Sequence, residues 1–137
     1  NNGEAFGRFV HNIELQGGDR AVCDNPELLL NTDLVEVEIK ANGAGFVSEI
    51  DTLAIGNAIV EIGGGRTKAD DKIDHAVGYA CQAKLGEAIK TSDPLGVLFC
   101  RNQEQADSIR TKLAAAYKLS PEKNQNQPQL IQQVIGQ

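Results

Sequence analysis

Residues 34–50, LVEVEIKANGAGFVSEI, limit the folds open to this chain more than any other stretch. Leu34/Val35, Val37, Ile39 and Ala41 alternate with Glu36, Glu38 and Lys40, the period-two pattern of a half-buried strand. Asn42-Gly43 is a turn signal, and Gly45–Ile50 reads as the return strand of a hairpin. At Asp51 the period changes. Leu53, Ile55, Ala58, Ile59 and Ile62 cover one broad face of a helix predicted from Thr52 to about Ile62, with Asp51 as its cap. Gly56 falls inside that helix, where glycine is unfavourable, so close packing of another backbone is expected there.

The same two periods recur along the chain. Ala5, Phe6, Phe9, Val10 and Ile13 predict a helix over 2–15, stopped at Gln16-Gly17-Gly18-Asp19 by glycines able to form a left-handed cap. Asp24-Asn25-Pro26 marks a turn. Residues 75–84 and 95–101 read as two further strands, with Leu85-Gly86 and Ser92-Asp93-Pro94 as turns. Asn102 caps a helix predicted to reach about Leu119, with Ala106, Ile109, Leu113 and Ala116 inward. Residues 120–127 form a polar linker to a short terminal segment, 128–137, whose Leu130, Ile131, Val134 and Ile135 suit a strand or a helical turn. No repeat is visible. Helices mixed with mainly antiparallel strands define an α+β class, and 137 residues suit a single domain.

Composition narrows the function. A formal charge of -6 argues against nonspecific nucleic-acid binding, which depends on Lys and Arg neutralising phosphates. At 4% aromatic content, platforms for stacking bases are scarce. The three cysteines are widely spaced, odd in number and without a CxxC, which points to small core side chains in a reducing compartment. No apolar run approaches the ~18 residues of a membrane span, and no signal peptide is expected. The chain contains no methionine, and we expect it to be excised from a longer protein.

The stretch VEIGGGRTKADDKIDHAVG, residues 60–78, is the candidate for chemistry. It is not a P-loop: the glycines follow a predicted helix, and no GK[ST] comes after them. A GxGxxG counted from Gly63 requires glycine where Lys68 stands. Phosphate binding by this loop alone is one reading, and two others stand beside it. In one, the glycines end the helix, because glycine accepts positive φ. In the other, Gly63, Gly64 and Gly65 hinge a flap that carries Arg66, Thr67 and Lys68 toward an anionic ligand held elsewhere. His11 and His75 lack neighbours at metal-ligand spacing. Asp70, Asp71 and Asp74 lack calcium-loop spacing and read as a solvated charge run. Asp71-Lys72 resembles the modified lysine of a lipoyl or biotinyl carrier domain, so such a carrier, or a free-standing interaction module, is the alternative function. No catalytic residue and no metal site are assigned.

An ordered series of motifs resembles the C-terminal domain of the pyrimidine nucleoside phosphorylases, the family that includes thymidine phosphorylase. Gly3, Ala5 and Phe9 run into Gln16, Gly17, Gly18 and Asp19. Ala41, Gly45, Phe46, Asp51, Ile55, Gly56, Ala58, Gly63, Gly65 and Arg66 follow in the family's order. DKIDHAVG, KLGEAIKTSDPLGVLF and PQLIQQVI continue the likeness, which covers nearly the whole chain. The departures are small: Ile62 stands where leucine is usual and Gly64 where alanine is common.

The resemblance implies an α/β-hammerhead fold related to barrel-sandwich hybrids. It also implies a parent enzyme, a pentosyltransferase of nucleoside salvage in the cytoplasm, that turns pyrimidine nucleoside and phosphate into base and pentose 1-phosphate. Phosphate would be its co-substrate, with no cofactor, and the parent would be a homodimer. The family's catalytic residues lie in earlier domains, so none is carried onto this chain. Residues 1–137 would then be a C-terminal domain, inactive in isolation, partnered by the missing N-terminal domains and belonging to the lobe that closes over the cleft.

Overall fold

The computed structural model describes residues 2–29, 33–123 and 133 of the chain. The terminal strand or helical turn expected over 128–137 lies outside the described residues, apart from Gln133. Two compact units are present, Asn1–Thr32 and Asp33–Gln137.

The first unit holds helix α1 (Glu4–Leu15), a short helix α2 (Ala21–Asp24) and a 3-10 turn (Pro26–Leu29). The glycine stop behaves as its sequence indicates. Gly17 takes φ 78, its N–H donates to the Glu14 carbonyl, and Gly18 N–H donates to the Ile13 carbonyl. These two bonds satisfy carbonyls that the helix end would otherwise leave open, in the Schellman arrangement.

The second unit contains strand β1 (Val35–Lys40), β2 (Gly45–Ile50), helix α3 (Thr52–Ile59), a π turn (Val60–Gly64), β3 (Gly78–Cys81), β4 (Ala88–Ile89), β5 (Pro94–Cys100), helix α4 (Gln103–Ala115) and β6 (Tyr117–Ser120). All pairing is antiparallel, in two three-stranded sheets of order β1-β5-β3 and β4-β2-β6. With its helices this is an α+β architecture. Both predicted caps are present: the Asp51 carboxylate accepts from Ala54 N–H and the Asn102 side-chain amide oxygen from Gln105 N–H, each at 2.9 Å.

The expected β1–β2 hairpin does not form. β1 pairs with β5, from Val35↔Cys100 to Lys40↔Pro94, whereas β2 enters the other sheet. The reason lies just after Lys40. Ala41 is buried, its N–H donates to the Asp93 carbonyl, and its own carbonyl accepts from Ser92 N–H. The chain is thus tied to the turn before β5 and rounds a corner into the second sheet. β5, PLGVLFC, is apolar throughout and takes the central place, while the alternating β1 suits an edge.

Helix α4 also stops earlier than its alanine-rich end predicts. The chain leaves it at Ala116 and pairs with β2, from Phe46↔Ser120 to Ile50↔Tyr117. Leu119 is therefore a strand residue, and the run read as a linker from residue 120 begins on β6. Pairing with an open edge outweighs local helix propensity here. The strand expected over 75–84 is reduced to Gly78–Cys81, because side-chain bonds hold residues 74–76 as a loop.

Two apolar clusters fill this unit. Leu98, Ile109 and Leu113 centre one, and Leu95, Val47 and Tyr117 the other. Tyr79 packs against both, and its ring occupies the space left by Gly96. Its hydroxyl lies 3.2 Å from that of Tyr117, which lies 2.9 Å from Cys81 Sγ, so these polar tips are satisfied together across the two sheets. Burial pushes both phenols above their ordinary range. All three cysteines are free, and only Cys100 is fully buried.

Gly56 corrects the packing expectation. It is exposed, and a β-carbon there would meet no atom within 4 Å.

Candidate functional site

The connection from α3 to β3 begins where the helix distorts into its π turn. Gly63 ends it with φ 96 and ψ 3, a left-handed conformation that a β-carbon disfavours. Gly64 serves a different need. A β-carbon there would collide with the Ile59 side chain and sit 3.1 Å from the Ile59 carbonyl oxygen and 3.2 Å from Val77. Absence of a side chain at Gly64 lets the two ends of the connection close. α4 secures the same turn from outside: the Gln105 amide donates to the Ile62 carbonyl at 3.2 Å, and Lys112 pairs with Glu61.

Beyond the glycines, one carboxylate shapes the loop. Thr67 N–H, the Thr67 hydroxyl and Lys68 N–H all donate to Oδ2 of Asp71, at 3.0, 2.6 and 2.9 Å. These bonds, led by the Thr67 hydroxyl, lower the Asp71 pKa. At the far end, Arg101 grips Asp74 with two bonds of 2.6 and 2.7 Å. Asp74 also accepts from Ala76 N–H, while its own N–H donates to the Gly63 carbonyl. The Arg101 guanidinium, then the Ala76 N–H, hold the Asp74 pKa down from 3.8 to about 2. The expectation of a merely solvated acidic run is corrected at both positions: these two aspartates are the loop's internal fasteners.

The six residues singled out by sequence, Gly63, Gly64, Gly65, Arg66, Thr67 and Lys68, therefore divide by role. The first two shape the turn, and Thr67 closes the Asp71 clasp. Arg66 and Lys68 are exposed and make no ion pair within 4.0 Å among the described residues. Asp74 and Arg101 stand 27 positions apart, with no local pattern to betray the pair. The Thr67-to-Asp71 spacing was visible, but only folding shows that its carboxylate turns inward.

Other candidates disperse. His11 lies on α1 beside Glu14, and His75 is exposed in the loop. No group of three or more His, Cys, Asp or Glu suited to a metal occurs among the described residues. Lys72, which with Asp71 prompted the carrier-domain alternative, sits in the irregular connection between helix and strand and not at the tip of a hairpin. No helix among the described residues is long and apolar enough to cross a membrane.

Fold and site together define a small α+β unit with a loop that is fastened through Asp71 and Asp74 and exposes Arg66 and Lys68. Residues 46–120 match the family model of the pyrimidine nucleoside phosphorylase C-terminal domain, and the chain belongs to this family. It is also 30% identical over 132 residues to a protein named thymidine phosphorylase from Sinorhizobium fredii. That alignment covers 96% of this chain and 30% of the relative, so the chain spans less than a third of that protein's length.

Proposed function

We propose that this chain is the C-terminal, non-catalytic part of a pyrimidine nucleoside phosphorylase and contributes to the lobe that closes over its active-site cleft. The observation that carries the reading is the alignment of 96% of the chain with only 30% of a thymidine phosphorylase, which leaves most of such an enzyme outside it. On this reading the partners are the remaining domains of the same polypeptide, with pyrimidine nucleoside and phosphate as substrates and no cofactor. The parent is a cytoplasmic homodimer. We assign the two-sheet unit to the α/β-hammerhead class.

The reaction gives the loop its role. Phosphate attacks C1′ as the glycosidic C1′–N bond breaks, its electron pair leaves with the pyrimidine base and the sugar becomes oxocarbenium-like, so catalysis rests on positioning and on stabilising charge. A covering loop that excludes water favours phosphorolysis over hydrolysis. Residues 63–68 are our candidate cover. Asp71 and Asp74 fix the loop's shape, and Arg66 and Lys68, exposed and without an ion pair among the described residues, are our candidates to meet an anion. In the full enzyme, Arg66→Ala and Lys68→Ala should lower kcat or raise KM for phosphate at an unchanged melting temperature. Unaltered kinetics in both variants would reduce the loop to a connection.

A further inference from the structure

Helix α1 carries an apolar face that its own unit does not bury. Ala5, Phe6, Phe9, Val10 and Ile13 share one side of the helix at three- and four-residue steps, yet none of its 12 residues is buried. Phe6 is 51% exposed and Phe9 54%. Seven large hydrophobic side chains stand exposed among the described residues. Five of them, Phe6, Phe9, Leu15, Leu28 and Leu29, fall in the unit Asn1–Thr32. A segment below ~40 residues rarely sustains its own core, and an isolated helix of this length is marginal in water. The covering surface has to come from outside the unit.

Two boundaries name that surface. The family match starts at residue 46, inside the second unit, and leaves the whole first unit outside the C-terminal domain. The alignment with the thymidine phosphorylase nevertheless covers 96% of the chain, so it runs well into the first unit. These residues therefore continue the phosphorylase sequence on the side that precedes the C-terminal domain. We infer that the apolar face of α1 docks against the preceding phosphorylase polypeptide, so that residues 1–32 are the closing element of the domain before, and that the domain boundary lies between Thr32 and Asp33. The inference rests on the phosphorylase reading above. The opposite face of α1 holds Glu4, Arg8, His11 and Glu14, a mixed and partly acidic set suited to water and not to an anionic lipid surface.

The test is amide hydrogen exchange of α1 in residues 1–137 and in the product of the complete reading frame. Expected are fast exchange in the short chain at every concentration and exchange slower by about a hundredfold or more in the long product. Phe6→Gln/Phe9→Gln, which keeps good helix formers on the face, should abolish that protection. Fast exchange in both proteins would overturn the inference. So would protection that grows with the concentration of the short chain, since a second copy would then be the occupant. Base release from thymidine or uridine by the long product is measured alongside: protection without phosphorolysis sinks the functional reading and leaves the docking intact, while phosphorolysis without protection does the reverse.

Discussion

Gly56 lies on the exposed side of α3, where no neighbour requires its missing side chain. Alanine lowers the unfolded-state entropy and favours the helix, so Gly56→Ala should stabilise residues 1–137 by about 0.5–1 kcal/mol in urea unfolding; a loss of stability would reveal a contact that the geometry does not contain. Asp74 makes the contrasting case of a residue with specific partners. Its pKa falls from 3.8 to about 2 on folding. A depressed carboxylate stabilises the fold fully above its unfolded pKa, and that contribution is lost as pH falls through the folded value. The gap in urea midpoint between the wild-type chain and Asp74→Asn should therefore be constant from neutral pH down to about 4 and close toward about 2. A gap that persists at the acid end would mean the Arg101 pair is not its source. At this scale the sequence was a partial guide. The caps Asp51 and Asn102 act on their own helices and could be read directly, whereas Asp74 finds Arg101 only through the tertiary fold.

Among elements, legibility follows the range of the forces involved. The bodies of α1, α3 and α4 and of strand β1 follow from periodicity, which reports which side of an element is apolar, and β2 and β5 follow from short apolar runs beside turn signals. What periodicity omits is the partner. β1 and β2 look like a hairpin, but the Ala41 bonds to residues 92–93 send them into different sheets. The sequence YKL reads as the end of a helix, and Ser120 as the start of a linker, until the open edge of β2 recruits them. The glycine connection combines both cases: its role as a helix stop is local and readable, but the crowding at Gly64 needs Val77 to be brought back against it. Gly64→Ala should consequently cost about 1–3 kcal/mol, the range of an overpacked site, and thermal unfolding checks this. At Gly65 the nearest obstacle is the end of the Val60 side chain, at 2.6 Å, with other atoms at 3.5 Å or beyond. Gly65→Ala should be milder, and equal melting temperatures for the two variants would contradict the steric account.

For the whole molecule, the family was legible because its motifs are ordered along the chain, from Gly3 and Ala5 through Gly63 and Arg66, and order is preserved whatever the packing. Arg66 and Lys68 were readable as composition, but the bonds through Asp71 and Asp74 that fasten their loop were not. On our account the second unit has its own core, in two clusters around Leu98, Ile109 and Leu113 and around Leu95, Val47 and Tyr117, and lends a shaped loop to chemistry performed by other domains. The most direct measurement is release of free base from thymidine and uridine in the presence of phosphate, made with residues 1–137 at stoichiometric concentration and with the product of the complete reading frame at catalytic concentration. The account predicts phosphate-dependent release by the long product and none by residues 1–137. Release by residues 1–137 alone, or an inactive but folded long product, would contradict it.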